Sequence, residues 1–237
     1  GEKIDNIKWK NNSVLQYRAD KNILKEYNID SKDHSIVLKT EKEILDYTNI
    51  SEYVHVVVKN EKEVKYRILP QNGSKTIREI ELPYSSEYSF INRDHFLVNL
   101  YDKINGSLYL IEPYALFSPI RDHIKEVKYT EWKDDRNLLC ANDFEIWNYN
   151  IDDNNKNLIT RISRPIIGID KPFEQNYVIF YTEKNINILE RREGEADNTT
   201  ELIKLDEIRS PSFDKGENVI YFNAEIGKET GVYKLQI

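Results

Sequence analysis

The sequence predicts an all-β protein of six repeated antiparallel sheets, and three observations predict it. Short apolar runs recur at a nearly constant interval, β-branched and aromatic residues fill those runs, and no segment carries a sustained 3.6-residue apolar stripe. The recurring runs are "SVLQY", "YVHVVV", "HFLVNL", "NLLCA", "YVIFY" and "NVIYF". Their first core residues are Val14, Val54, Phe96, Leu138, Val178 and Val219, spaced by 40, 42, 42, 40 and 41 residues. Four strands of five or six residues plus four short connections use about forty residues, so the period is the length of one four-stranded meander. Such a sheet cannot bury both faces alone. Radial packing of sheet against sheet solves this, so the expected architecture is a β-propeller of about six blades.

In chain order, blades are expected near residues 3–40, 41–82, 83–124, 125–163, 164–206 and 207–237, within one domain spanning 1–237. The first opens with "IDNIKWK" as its inner strand, followed by "SVLQY" and a reversal at "RADKN". The second is built on "YVHVVV", with Asn72-Gly73 as a turn; the third has Asn105-Gly106 between two apolar runs. An Asn-Gly pair supplies the positive φ angles of a two-residue hairpin. In the third unit "IEPYALFSPIRDHI" puts two prolines where a regular outer strand should lie, which marks an irregular, exposed feature. The fourth reads as "EVKYTEW", "NLLCAN", "FEIWNYNI" and "NLITRIS", turning at "CANDF", and the fifth turns at "TEKNI". Asn and Asp tolerate the left-handed backbone, which lets a turn-rich chain manage with 8 glycines. The sixth unit offers "EIRSPSFD", "ENVIYFNAE" and "GVYKLQI" and stops one strand short, so the last blade is three-stranded or completed from elsewhere.

Composition narrows the function. Hydrophobic residues make up 39% and charged residues 32%, which fits a folded protein with a heavily charged surface. The net charge is −7 without a basic stripe, which argues against a nucleic-acid partner. No apolar run reaches the length of a membrane helix, so this segment is not expected to insert in a membrane. The single Cys140 sits in an apolar run and reads as a buried, inert thiol. The chain opens at Gly1 and has no methionine, which suggests a trimmed start from which a signal or anchor was removed.

The last two-fifths of the chain carries a resemblance. "SPSFDKGENVIYFNAEIGKETGVYKLQI" is similar to the TolB-like (WD-like) propeller blade, in which a Ser-Pro-Asp-Gly-like turn precedes an apolar strand and a "G-x-Y-x-L" strand follows. "TEWKDDRNLLCANDFEIWNYNI" and "IDKPFEQNYVIFYTEKNINIL" look like degenerate versions, with Asp135 and Glu174 near the turn. "LITRISRPIIGI" also resembles the propeller half of bacterial PEGA-domain envelope proteins, although nothing here resembles the PEGA module. The resemblance implies a cell-envelope-associated, protein-binding module placed outside the cytoplasm or at the cell surface, with the cytoplasm as the alternative. Its blade motifs carry no catalytic residues.

The residues themselves offer little chemistry. His34, His55, His95 and His123 form no pair at metal-ligand spacing, and phosphate loops, nucleophile elbows and "HExxH" are absent. Acidic pairs at Asp134-Asp135 and Asp152-Asp153, and Asp197 beside Asn198, read as solvated turns rather than calcium ligands. "SFDKGENVIYF" shares Ser212, Asp214 and Gly216 with the Asp-box of sialidase-like propellers but departs from it at Asn218 and Val219. No catalytic residue, cofactor or metal is therefore expected.

The 16 tyrosines are the remaining clue. Tyrosine offers rigid area with a polar tip and is enriched at interfaces. Tyr84, Tyr114, Phe117 and Arg164 fall in expected loops and form the candidate binding face. The expectation is a monomeric, non-enzymatic module that binds a protein partner; the alternative is a propeller that binds a glycan or small ligand or acts on glycosides.

Overall fold

The computed structural model describes residues 2–71, 75–92, 97–172, 176–191 and 198–237. Among them every regular element is a strand, and the strands form six small antiparallel sheets, five of four strands and one of three. The first sheet is β1 (Ile4–Asn11), β2 (Val14–Ala19), β3 (Ile23–Asn28) and β4 (His34–Lys39). The second is β5 (Glu43–Ile50), β6 (Tyr53–Lys59), β7 (Val64–Pro70) and β8 (Arg78–Leu82). The third is β9 (Tyr88–Asn92), β10 (Val98–Asp102), β11 (Ser107–Ile111) and β12 (Ile120–Lys125). The fourth is β13 (Tyr129–Trp132), β14 (Asn137–Ala141), β15 (Glu145–Asn150) and β16 (Asn155–Arg161). The fifth is β17 (Ile166–Asp170), β18 (Tyr177–Thr182), β19 (Asn185–Glu190) and β20 (Asn198–Lys204). The sixth holds β21 (Ile208–Asp214), β22 (Val219–Ile226) and β23 (Glu229–Gln236). In each sheet the strands pair in chain order.

The chain divides into two compact units, Gly1–Lys125 and Glu126–Ile237, of three sheets each. In the first, the second sheet is covered on both faces. Val54, Val56 and Val58 of β6 pack with Leu24 and Val37 of the first sheet, while Val57, Tyr66 and Ile68 pack with Phe90, Leu100 and Tyr109 of the third. Two buried faces explain why β6 reads "VHVVV" without polar alternation. Each such side chain contributes roughly 1.5–3 kcal/mol on burial. The second unit repeats the device in β18. Val178 and Phe180 pack with Leu139, Ala141 and Ile146, whereas Ile179 and Tyr181 pack with Phe213, Ile220 and Phe222.

First strands are stapled by polar contacts. Asp46 of β5, 4% exposed, accepts from Lys8 Nζ at 2.5 Å, from Asn6 Nδ2 at 2.7 Å and from the backbone N–H of Phe90 at 2.8 Å. One carboxylate thus ties three sheets. Tyr47 donates beside it to the Asn6 and Gln16 carbonyls, at 2.6 and 2.7 Å.

Turns depart from expectation in one respect. Asp102 pairs with Ser107, so four residues, not two, connect β10 to β11, and only Gly106 (φ 58°) of the Asn105-Gly106 pair takes a positive φ. The Asp102 side chain decides this by accepting from the N–H groups of Ile104 and Asn105, at 3.1 and 3.2 Å, which stabilises the wider loop. The same capping recurs: Asn60 accepts from Lys62 and Glu63, Asp134 from Arg136 and Asn137, Asn142 from Phe144 and Glu145, and Asp214 from Gly216 and Glu217. Side-chain capping therefore replaces glycine more often than left-handed Asn or Asp does. Positive φ angles fall as readily on Ser51, Ser118, Ser210, Lys21 and Lys32. Asn72-Gly73, His95, Phe96, Glu174 and Asp197 lie outside the described residues.

Candidate functional site

Residues 112–119 connect β11 to β12, and both Pro113 and Pro119 fall in this connection rather than in a strand. Glu112 N–H donates to the Pro119 carbonyl at 2.8 Å and closes the base of the loop. Ala115 N–H donates to the Glu112 carbonyl at 3.1 Å, and the Arg78 guanidinium of β8 donates to the Ala115 carbonyl. Tyr114 sits 6.3 Å from the ring of Tyr53. On this braced base Leu116 and Phe117 are 84% and 87% exposed. They are the two most exposed large apolar side chains among the described residues, and they are neighbours in sequence.

Within the first unit, Tyr84 does not share a face with Tyr114 and Phe117. Tyr114 and Phe117 share the 112–119 loop. Tyr84, between β8 and β9, is exposed and has Lys59 Nζ 5.8 Å from its ring centroid. Tyr53 and Lys59 are the two ends of β6, so Tyr114 and Tyr84 sit at opposite ends of a strand about 20 Å long. Arg164 belongs to the second unit, between β16 and β17, and its Nη1 donates to Asn185 Oδ1 at 2.8 Å. Leu116, Tyr53 and Arg78 belong to the site but escaped the sequence reading. Leu116 could have been found as the neighbour of Phe117 inside the proline-bounded stretch, whereas nothing local marks Arg78.

The second unit gathers titratable groups at the ends of its first strands. Asp170, the last residue of β17, accepts from the Tyr181 hydroxyl at 2.7 Å. Burial, opposed by that hydrogen bond and aided by Glu131, pushes its carboxyl up to about 6. Lys171 is held below the usual lysine range by burial and by Lys133 and Lys215, and it donates to the Lys133 carbonyl. Lys215 pairs with Glu131. No local pattern marks this convergence, because its members come from three sheets.

Other titratable groups are packing elements. His55 is fully buried against the Tyr66 hydroxyl, and burial lowers its imidazole to about 4. His34 contacts the Tyr17 hydroxyl at 3.0 Å, and His123 stacks on Tyr109 at 4.5 Å. Burial pushes the Cys140 thiol up to about 12. Among the described residues no three His, Cys, Asp or Glu side chains are grouped to hold a metal, and no helix is long and apolar enough to cross a membrane.

No protein-family model matches the sequence, and no curated protein matches it. Solved structures do resemble the fold, and those neighbours are propeller-like. Kluyveromyces lactis Hsv2 superposes with a TM-score of 0.65 at 11% identity, over 94% of this chain and 71% of that one. An oligogalacturonate lyase in complex with manganese gives 0.62 at 10% identity, over 94% and 73%. A functionally unknown protein from Desulfotomaculum acetoxidans gives 0.58 at 12% identity, over 94% and 79%. At these identities the likeness is one of fold.

Proposed function

We propose that the chain is a single six-bladed TolB-like β-propeller over residues 1–237 that serves as a non-enzymatic scaffold for a protein partner at the bacterial cell envelope. The observation that carries the binding role is the exposure of Leu116 and Phe117 on a loop braced by Arg78 and closed by Glu112 and Pro119. Rigid apolar side chains lose little entropy on docking, so they suit the centre of a protein interface. Propeller-like neighbours and the blade motif of the final unit support the scaffold; the likeness to PEGA-domain proteins supports the envelope.

One observation favours ligand handling instead, the convergence of Asp170, Lys171, Glu131 and Lys215. Those charges are already answered within the cluster, by Tyr181, the Lys133 carbonyl and one another, which suits a staple between sheets better than an open site.

The test is a pull-down from the source organism's envelope extract with the tagged chain and its Leu116→Ser/Phe117→Ser variant. A protein retained stoichiometrically by the parent and lost by the variant supports the reading. Equal retention by both removes the loop from the interface, and retention of a glycan with no protein overturns the scaffold.

A further inference from the structure

A polar groove of about 420 Å³ opens between the fourth and fifth sheets, in the range of small-molecule pockets. Its floor is the outer part of the face that the fifth sheet turns to the fourth. Deeper in, that face is apolar, with Val178, Phe180 and Leu189 packed on Leu139 and Ile146. Towards the β16–β17 connection the same face carries Thr182, Asn185 and Asn187, exposed by only 3%, 6% and 8%.

Asn185 is saturated. Its Oδ1 accepts from Arg164 Nη1 at 2.8 Å and its Nδ2 donates to Glu201, so one amide fixes the two charged walls of the groove. The loop bearing Arg164 is clamped on both sides, by Ile162 N–H on the Phe144 carbonyl and Ile166 N–H on the Asp143 carbonyl, each at 2.8 Å. Asn187 is different. It pairs in register with Phe180 and Glu201, lines the groove, and among the described residues its carboxamide has no side-chain hydrogen bond. Its carboxamide opens onto the groove rather than into a dry core, and it leaves a donor and an acceptor for a ligand there.

The charges name the class of ligand. Arg161 is answered by Glu145 at 2.9 Å, but among the described residues Arg164 and Lys204 have no carboxylate partner. Glu201 is an acceptor that wants O–H donors. A ligand complementary to the groove would bring an anionic group for Arg164 and Lys204, hydroxyls for Glu201, and polar atoms for Asn187. A bare phosphate would meet the cations but offers Glu201 only repulsion. We infer that this groove binds a small hydroxy-carboxylate, such as an acidic sugar unit, with its carboxylate on Arg164 and Lys204 and its hydroxyls on Glu201 and Asn187. This goes beyond the scaffold reading and does not depend on the 112–119 loop.

The test titrates the whole chain with D-glucuronate, followed by calorimetry and by the side-chain amide NMR signals of Asn187. D-glucose, acetate and inorganic phosphate serve as controls. Saturable glucuronate binding is expected near about 1 mM, what some thirteen heavy atoms supply at ordinary ligand efficiency. Asn187→Leu and Arg164→Gln should each weaken it by about tenfold or more. If Arg164→Gln unfolds, the exposed Lys204→Gln carries the charge test. Glucose binding as tightly as glucuronate would overturn the anionic assignment, and acetate or phosphate doing so would overturn the hydroxyl assignment. No saturation well above that concentration, or shifts confined to other residues, would overturn the site.

Discussion

Replacing Asp170 by asparagine removes a buried charge yet keeps an oxygen to accept from Tyr181. The folded carboxyl titrates at about 6 against an ordinary value of 3.8. The folded state therefore holds the proton more tightly than the unfolded chain, and on this group's account stability falls as pH rises from about 4 to about 6, then stays level. A difference of about two pH units is worth about 3 kcal/mol at neutral pH. The asparagine brings a buried amide NH2 that the carboxyl lacked, and leaving that donor unanswered returns about 1 kcal/mol of this. Asp170→Asn should thus stabilise the protein by about 2 kcal/mol at pH 8, raising Tm by roughly 4–8 °C for a domain of this size. Near pH 4 the gain should vanish. Urea unfolding of both proteins at the two pH values reads this directly. A variant less stable than the parent at pH 8, or a gain equal at both pH values, would refute the argument that burial destabilises the Asp170 anion.

His55 acts with the opposite sign: its folded value of about 4 lies below the ordinary 6.5, so its contribution is present above about 6.5 and is lost as pH falls towards 4. His55→Gln, which keeps a partner for the Tyr66 hydroxyl, should make the acid-side fall in Tm shallower between those values. Asp46→Ala should cost about 3–5 kcal/mol by denaturant unfolding, because Lys8 and the Phe90 N–H lose a buried carboxylate. A single propeller domain should unfold in one calorimetric transition; two resolved transitions, mapped by proteolysis to residues 1–125 and 126–237, would separate the two compact units into independent domains.

The repeat was legible because its period is set by how many residues a four-stranded meander consumes, and composition alone marks where each second strand begins. Val14 and Val219 open β2 and β22, while Tyr53, Asn137 and Tyr177 open β6, β14 and β18. The four-residue loop after Asp102 was not legible, since an Asn-Gly pair predicts the tighter turn and only the reach of the preceding carboxylate overrides it. At the candidate site, the prolines flanking Tyr114 and Phe117 gave the loop away. The separation of Tyr84 from Tyr114 follows from the direction of each strand, which a list of loops does not record. The Arg164–Asn185–Glu201 relay and the Asp170–Tyr181 pair were invisible for a further reason: they depend on which faces of neighbouring strands and sheets meet, and no local pattern encodes that.

The way Asp46 ties three sheets has a consequence for the chain as it is made. Every ladder closes within one run of about forty residues, so each sheet can form while the next is still being translated, at intervals of about 2–8 s at ordinary elongation rates. The partners of Asp46 straddle that schedule. Asn6 and Lys8 precede it by 40 and 38 residues, whereas the Phe90 N–H follows 44 residues later. A nascent chain halted between the second and third sheets would hold this buried anion with one donor missing. The first unit thus reaches its full stability only when its third first-strand emerges, which delays commitment until all three sheets are available to be joined.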